Sequence, residues 1–88
     1  MTKDEIAALC VDQLVDILRV PKESVDVNVK FTRLGLDSAM TIYLVMELED
    51  KLKLEFDHEI LADYPTITEL SAYLAEKTNA VAAGQRVG

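Results

Sequence analysis

The sequence predicts an all-α fold: a four-helix bundle of three longer helices and one short one, with a long loop between the first two. Three observations carry this. Apolar residues recur at three- and four-residue spacing in three separate segments. Two Thr-x-x-Glu capping boxes mark helix starts. The one alternating run, Val25, Val27 and Val29, has no second run to pair with, and a lone strand is not stable. The chain of 88 residues is half hydrophobic and 28% charged, which suits one domain with one modest core rather than a disordered segment.

Thr2-Lys3-Asp4-Glu5 opens the first helix. Ile6, Leu9, Cys10, Leu14, Ile17 and Leu18 form its buried stripe, and Pro21 stops it, giving a helix over about residues 3–19. Residues 20–37 read as a long loop pinned by Phe31, Leu34 and Leu36. A loop of this length in a compact domain is often functional. Asp37 is an N-cap for the second helix, whose core stripe is Thr41, Leu44, Val45, Leu48 and Leu52 and which ends near Leu54. Asp57 caps a short helix through about Ala62 that buries Ile60 or Leu61. Pro65 breaks the chain, and Thr66-Ile67-Thr68-Glu69 opens the last helix through Leu70, Tyr73 and Leu74. The domain is placed at residues 1–78, and 79–88, which lack a helical stripe, are expected to form a flexible tail.

Composition narrows the function. A net charge of −7 argues against nucleic acid as a partner and favours basic protein surfaces. Seven acids (Asp37, Glu47, Glu49, Asp50, Glu55, Asp57, Glu59) against Lys51 and Lys53 place −5 of that charge between residues 37 and 59. By itself this is a solvated helix face. No apolar run of about 18 residues exists, so no membrane span is expected. A secretory signal is absent, and the single Cys10 cannot form an internal disulfide, so a reducing, cytoplasmic setting fits best. A start at Met1 is what a free-standing chain shows, and a domain excised from a synthase can show it equally.

Ser38 is the residue on which function turns. Three readings are open. Asp37-Ser38 is a helix cap and nothing more. Or Ser38 is a nucleophile, although the only histidine, His58, is about twenty residues on among acids, and no Gly-x-Ser-x-Gly elbow is present. Or Ser38 is a point of covalent attachment, where a phosphodiester would meet the free N–H groups and positive dipole end of the second helix. Gly35 permits the tight turn that lifts the serine from the surface, and Leu34 and Leu36 anchor that turn. Cys10 lies on an apolar stripe and reads as a core residue. There is no Cys/His cluster with metal-ligand spacing and no glycine-rich phosphate loop.

The stretch Phe31-x-x-Leu34-Gly35-Leu36-Asp37-Ser38, followed by a helix rich in Leu, Val and Glu, closely resembles the acyl and peptidyl carrier protein family. Leu48-Glu49, the Phe56 segment, Ile60 and Asp63-Tyr64-Pro65-Thr66-Ile67 extend the resemblance over about residues 3–78. It implies a four-helix bundle of the acyl carrier type that catalyses nothing. It further implies that Ser38 carries 4′-phosphopantetheine, installed from coenzyme A by a separate phosphopantetheinyl transferase that supplies Mg²⁺. The arm's thiol would hold an acyl group as a thioester. An acyl-loading enzyme (acyltransferase or acyl-AMP ligase) and a ketosynthase or other synthase enzymes would be its partners, with the carrier itself a monomer. Ala39 departs from the Leu common after the serine and puts the details of docking in doubt. Leu-Asp-Ser-Ala with Asp-Tyr-Pro-Thr-Ile looks most like polyketide-synthase-type acyl carriers. A carrier for aminoacyl groups in peptide synthesis or D-alanylation, and an unmodified helical interaction module, are the alternatives.

Helical geometry turns Ala39, Met40, Tyr43, Glu47 and Asp50 outward or to the flank, as a partner-binding face. Ile42 and Met46 fall on its boundary with the core, and Tyr43 and Met46 suit core and interface equally. Leu44, Ile60, Leu61 and Tyr73 are candidates to border a held acyl chain between the second and third helices.

Overall fold

A computed structural model describes the backbone of residues 2–57 and 59–87 and the side chains of that set up to residue 78. Four α-helices make the frame: α1 (Lys3–Leu18), α2 (Ser38–Leu52), α3 (Ile60–Asp63) and α4 (Ile67–Val87). No strand occurs among the described residues. Helix α1 packs mainly on α4 and secondarily on α2. Ile6, Leu14, Leu44, Leu48, Leu70 and Leu74 meet in the centre with no exposed surface. Each such side chain contributes about 1.5–3 kcal/mol of apolar burial.

The expected helix starts are present, with one difference in chemistry. The Thr2 hydroxyl accepts from the Glu5 N–H at 3.2 Å while the Glu5 carboxylate accepts from the Thr2 N–H at 2.8 Å, a reciprocal box. Those bonds hold the Glu5 carboxyl below its ordinary value, the backbone bond contributing most. At α4 the Thr66 hydroxyl accepts from the Glu69 N–H at 3.2 Å, but the Glu69 carboxylate accepts from that same hydroxyl rather than from the Thr66 backbone. Thr66 is buried there, just after Pro65, and no bond runs from its own N–H to Glu69.

The helix ends depart from the sequence expectation in mechanism. Helix α1 stops because Arg19 turns left-handed (φ 58°) and donates its N–H to Val15, two residues before Pro21 acts. Helix α2 stops in the same way at Lys53 (φ 56°), whose N–H returns to the Glu49 carbonyl. The N-cap position of helix α3 is Glu59, whose side chain makes no capping bond, rather than Asp57, which accepts the Glu59 N–H at 3.2 Å through its side chain. Both Ile60 and Leu61 are buried. Helix α4 continues to Val87, past residue 78 where the apolar stripe ends.

The long loop is not structureless. Two 3₁₀ turns, Lys22–Ser24 and Phe31–Leu34, divide it, and Val25 and Phe31 are buried. It is sewn to the start of α4: Phe31 N–H donates to the Pro65 carbonyl (2.8 Å) and Thr68 N–H to the Val27 carbonyl (3.1 Å). The Tyr64 and Tyr73 rings stack with centroids 4.3 Å apart, fastening the segment before Pro65 onto α4.

Candidate functional site

The loop's last turn places Ser38. Phe31 is buried, and the 3₁₀ turn it opens ends at Gly35, whose φ of 100° is the left-handed region an L side chain rarely adopts. Leu34 and Leu36, half-buried against the core, hold the two sides of that turn. The chain then runs extended through Asp37 into α2. The Asp37 carboxylate accepts the Met40 N–H at 2.8 Å and its carbonyl accepts the Thr41 N–H at 2.9 Å. Asp37 is therefore the cap, and Ser38 caps nothing. Ser38 is the first residue of α2, it is exposed, and its hydroxyl has no hydrogen-bond partner among the described residues.

The surroundings of that hydroxyl suit a negative group. The N–H groups of Ser38 and Ala39 find no acceptor among the described residues, as the start of a helix dictates. The first turn of α2 contains no acidic residue. A phosphodiester on Ser38 would thus meet free donors and the positive end of the helix dipole. An exposed, unbonded hydroxyl beside them is what attachment of such a group requires. The other candidate chemistry finds less support. Cys10 is buried, and burial pushes its thiol up to about 12 from an ordinary 9.0, so it is no nucleophile in the folded protein. The reading of His58 as a surface residue lies outside the described residues.

The structure sorts the residues behind Ser38. Ala39 and Asp50 are exposed, and Met40 and Glu47 are half-buried on the flank. Ile42, Tyr43 and Met46 are exposed at 45%, 49% and 61%, so none of the three is core padding. Together they form an apolar strip along the outside of α2. The acids are not equivalent. Glu49 is turned inward to accept the Phe56 N–H at 3.1 Å and holds the chain after α2, while Glu47 and Asp50 have no hydrogen-bond or ion-pair partner among the described residues.

A cavity of about 310 Å³ opens between the loop, α2 and α3, lined by Phe31, Thr32, Leu36, Thr41, Glu59, Leu61, Ala62 and Pro65. Leu36 precedes Ser38 by two residues and Thr41 follows it by about one helical turn, so two of the lining residues flank the serine in the chain, although Ser38 itself does not line the cavity. Of the four residues expected to border a held chain, only Leu61 lines it. Leu44 is sealed in the core, and Ile60 and Tyr73 line a different surface cleft beyond α3. Sequence spacing misses Phe31, Leu36 and Pro65 as lining residues, because their convergence depends on the loop folding back onto the start of α4. The Phe31–Pro65 backbone bond leaves no trace in side-chain chemistry.

A helical bundle that displays an exposed serine, unbonded among the described residues, at an anion-ready helix start is laid out as a carrier domain is. The comparisons with known proteins agree. The family described as phosphopantetheine attachment site matches residues 11–74, and the chain belongs to it. The acyl carrier protein of Chloroherpeton thalassium is 33% identical over 78 residues, 88% of this chain and 98% of that protein. A phenolphthiocerol/phthiocerol polyketide synthase of Mycobacterium tuberculosis is 35% identical over 60 residues, 68% of this chain. The chain spans only 3% of that synthase's length. Among solved structures, a free-standing peptidyl carrier protein from an uncharacterized secondary metabolic pathway of Acinetobacter baumannii superposes with a TM-score of 0.83 at 37% identity, covering 86% of this chain and 95% of that one. The HMG-ACPI domain from the CurA module of Lyngbya majuscula gives 0.84 at 28% identity, covering 92% and 82%. Members of this family are generally non-catalytic, and the domain is the site of covalently attached 4′-phosphopantetheine.

Proposed function

We propose that Ser38 is the attachment residue and that the protein carries acyl groups for polyketide or fatty acid assembly. The observation that carries this reading is the division of labour at the start of α2: Asp37 takes the capping bonds, and the exposed Ser38 hydroxyl is left free beside unpaired N–H groups. The arm supplies a terminal thiol on which an acyl group is held as a thioester. The chain's own residues do the rest. Gly35 and Asp37 fix the direction in which the hydroxyl leaves the surface. Helix α2 presents Ala39, Met40, Tyr43, Met46, Glu47 and Asp50 to partners, with carboxylates that speed encounter with basic surfaces. Those partners are a separate phosphopantetheinyl transferase, an acyl-loading enzyme and a ketosynthase or other synthase enzyme. The carrier is a cytoplasmic monomer with its domain at residues 1–78. No described helix is long and apolar enough to cross a membrane.

The free-standing peptidyl carrier among the solved relatives favours a second reading, in which the cargo is aminoacyl. Loading with acyl against aminoacyl donors separates the two.

The test of attachment uses Cys10. That thiol is the only one in the chain and is buried, so the unmodified native protein should show no reactive thiol. After incubation with coenzyme A and a broad-specificity transferase, native protein should gain a single reactive thiol and the mass of one phosphopantetheine. Ser38→Ala should gain neither. Failure of several transferases to modify a folded wild-type chain would sink the reading and leave an interaction module.

A further inference from the structure

The geometry points to a second docking element: an anion notch at the loop's second 3₁₀ turn, built from Asn28, Lys30 and Arg33, that takes a carboxylate from an acidic surface of a partner protein. It rests on the carrier reading only for what the notch is for.

The charge pattern is the first observation. In a chain of net charge −7, residues 19–33 hold Arg19, Lys22, Lys30 and Arg33 against Glu23 and Asp26 alone, a local net of +2. Lys30 and Arg33 are both exposed, and neither has an ion-pair or hydrogen-bond partner for its side chain among the described residues. With sixteen acids available, two neighbouring cations kept apart from all of them form a patch of opposite sign to α2.

The local fold then brings donors together. Lys30 precedes the Phe31–Leu34 turn as its N-cap, and the Arg33 N–H returns to the Lys30 carbonyl at 2.9 Å. Side chains three apart on a 3₁₀ turn eclipse one another, so the ammonium and guanidinium stems rise on one side. With Asn28 and Val29 they line a cavity of about 300 Å³. Asn28 is held from below: its Oδ1 accepts the Thr68 hydroxyl at 2.9 Å and its N–H donates to the Asp26 carboxylate at 2.9 Å. With Oδ1 so engaged, the side-chain NH₂ is the end left for a ligand. Every side-chain polar group free to act in the notch is a donor, which selects an anion.

The backbone decides which anion. Phosphate cradles are built from free backbone N–H groups. Here the N–H groups of Asn28, Val29, Phe31, Arg33 and Leu34 are spent within the protein, and those of Lys30 and Thr32, which have no acceptor among the described residues, are separated by the bonded Phe31, so the turn offers no run of successive free N–H groups. The side-chain donors are a guanidinium fork, an ammonium and an amide on an exposed turn, matched to the planar carboxylate of Asp or Glu. Arg33 lies five residues before Ser38, at most about 18 Å away along the chain. A partner touching both α2 and the notch would be gripped by charges of opposite sign on either side of the serine, which fixes its orientation as well as its approach.

Titration of ¹⁵N-labelled protein with a short polyglutamate peptide at low salt tests this. Saturable shifts are expected at the Asn28 side-chain amide and at the backbone amides of residues 29–34. Binding should weaken about fivefold to tenfold in K30Q/R33Q, whose spectrum reports that it remains folded. Inorganic phosphate at matched ionic strength should give no saturable shift there. No response to the peptide, an equal response in K30Q/R33Q, or saturable phosphate binding at these amides would each overturn the proposal. Transferase modification of Ser38, read as a single new thiol on the wild-type protein, reports on the carrier reading separately from the notch.

Discussion

The Phe31 N–H donates to the Pro65 carbonyl at 2.8 Å, so the turn that precedes Ser38 hangs from the segment that opens α4. Thr68 adds to this joint. Its N–H donates to the Val27 carbonyl, and its hydroxyl lies 3.1 Å from that same oxygen and 2.9 Å from Asn28 Oδ1. The direction of the serine is thus set by residues far downstream in the chain, through bonds that α1 and α2 do not share.

Removing the Thr68 hydroxyl should loosen the joint without dismantling the core. Thr68→Val keeps the N–H and the shape but gives up the side-chain bond, at a cost of about 1 kcal/mol. Urea unfolding should show that loss, and hydrogen exchange should quicken at residues 27–34 before it does in α1. Unchanged stability and unchanged loop exchange would mean that the joint is held by Phe31 and Pro65 alone.

Gly35 separates backbone strain from crowding. A Cβ placed there meets nothing within 4 Å, so the cost of substitution is the left-handed φ of 100° alone. Gly35→Ala should lose about 1–2 kcal/mol. Gly35→Asn should lose less than Gly35→Val, because Asn tolerates that region and β-branched residues do not. Thermal unfolding of the three variants gives the order, and a loss set by side-chain volume instead would contradict it.

Cys10 should make stability fall at alkaline pH. Its thiol titrates at about 12 when folded against an ordinary 9.0. Between those values the unfolded chain releases the proton and the folded chain keeps it, so the unfolded state binds fewer protons and stability drops as pH rises. The slope for one such group is about 1.4 kcal/mol per pH unit, and below the lower value it vanishes. Urea unfolding on either side of the ordinary thiol value should show this slope in the wild type, and its loss in Cys10→Ala. A wild-type slope matched by Cys10→Ala would assign the alkaline loss to other groups.

Glu47 and Asp50 should act on encounter rather than on folding. Glu47→Lys with Asp50→Lys should slow modification or acyl transfer about threefold to tenfold at low salt, with the gap closing as salt rises, since exposed charges are screened over about 10 Å. The melting temperature should stay close to that of the wild type. Equal rates at low and high salt would remove these two carboxylates from the docking face.

Much of this was legible in the residues. Periodicity placed α1, α2 and the start of α4, because a helix that must bury one face writes its spacing into the sequence. Thr2 and Asp37 were readable as caps, since a cap is a local bond between near neighbours. The carrier class was legible from Phe31 through Ile67, a pattern longer than chance supplies. The ends of α1 and α2 were less so. Arg19 and Lys53 terminate their helices in a left-handed conformation usually given to glycine, and nothing in their chemistry announces it. The inward turn of Glu49 was also hidden, since one acid in an acidic run looks like any other until the chain after α2 folds back to Phe56.

By itself the sequence determined an all-helical carrier with a serine at a helix start, because helix periodicity, capping and the attachment motif are all carried by residues close in the chain. Tertiary structure alone decided that the Ser38 hydroxyl has no partner among the described residues, that Ile42, Tyr43 and Met46 face outward, and that a cavity opens between the loop, α2 and α3. Those outcomes depend on where the long loop comes to rest, and it rests on backbone bonds from Val27 and Phe31 to Thr68 and Pro65. Backbone groups are the same in every residue, so the pairing becomes visible only once the chain has folded.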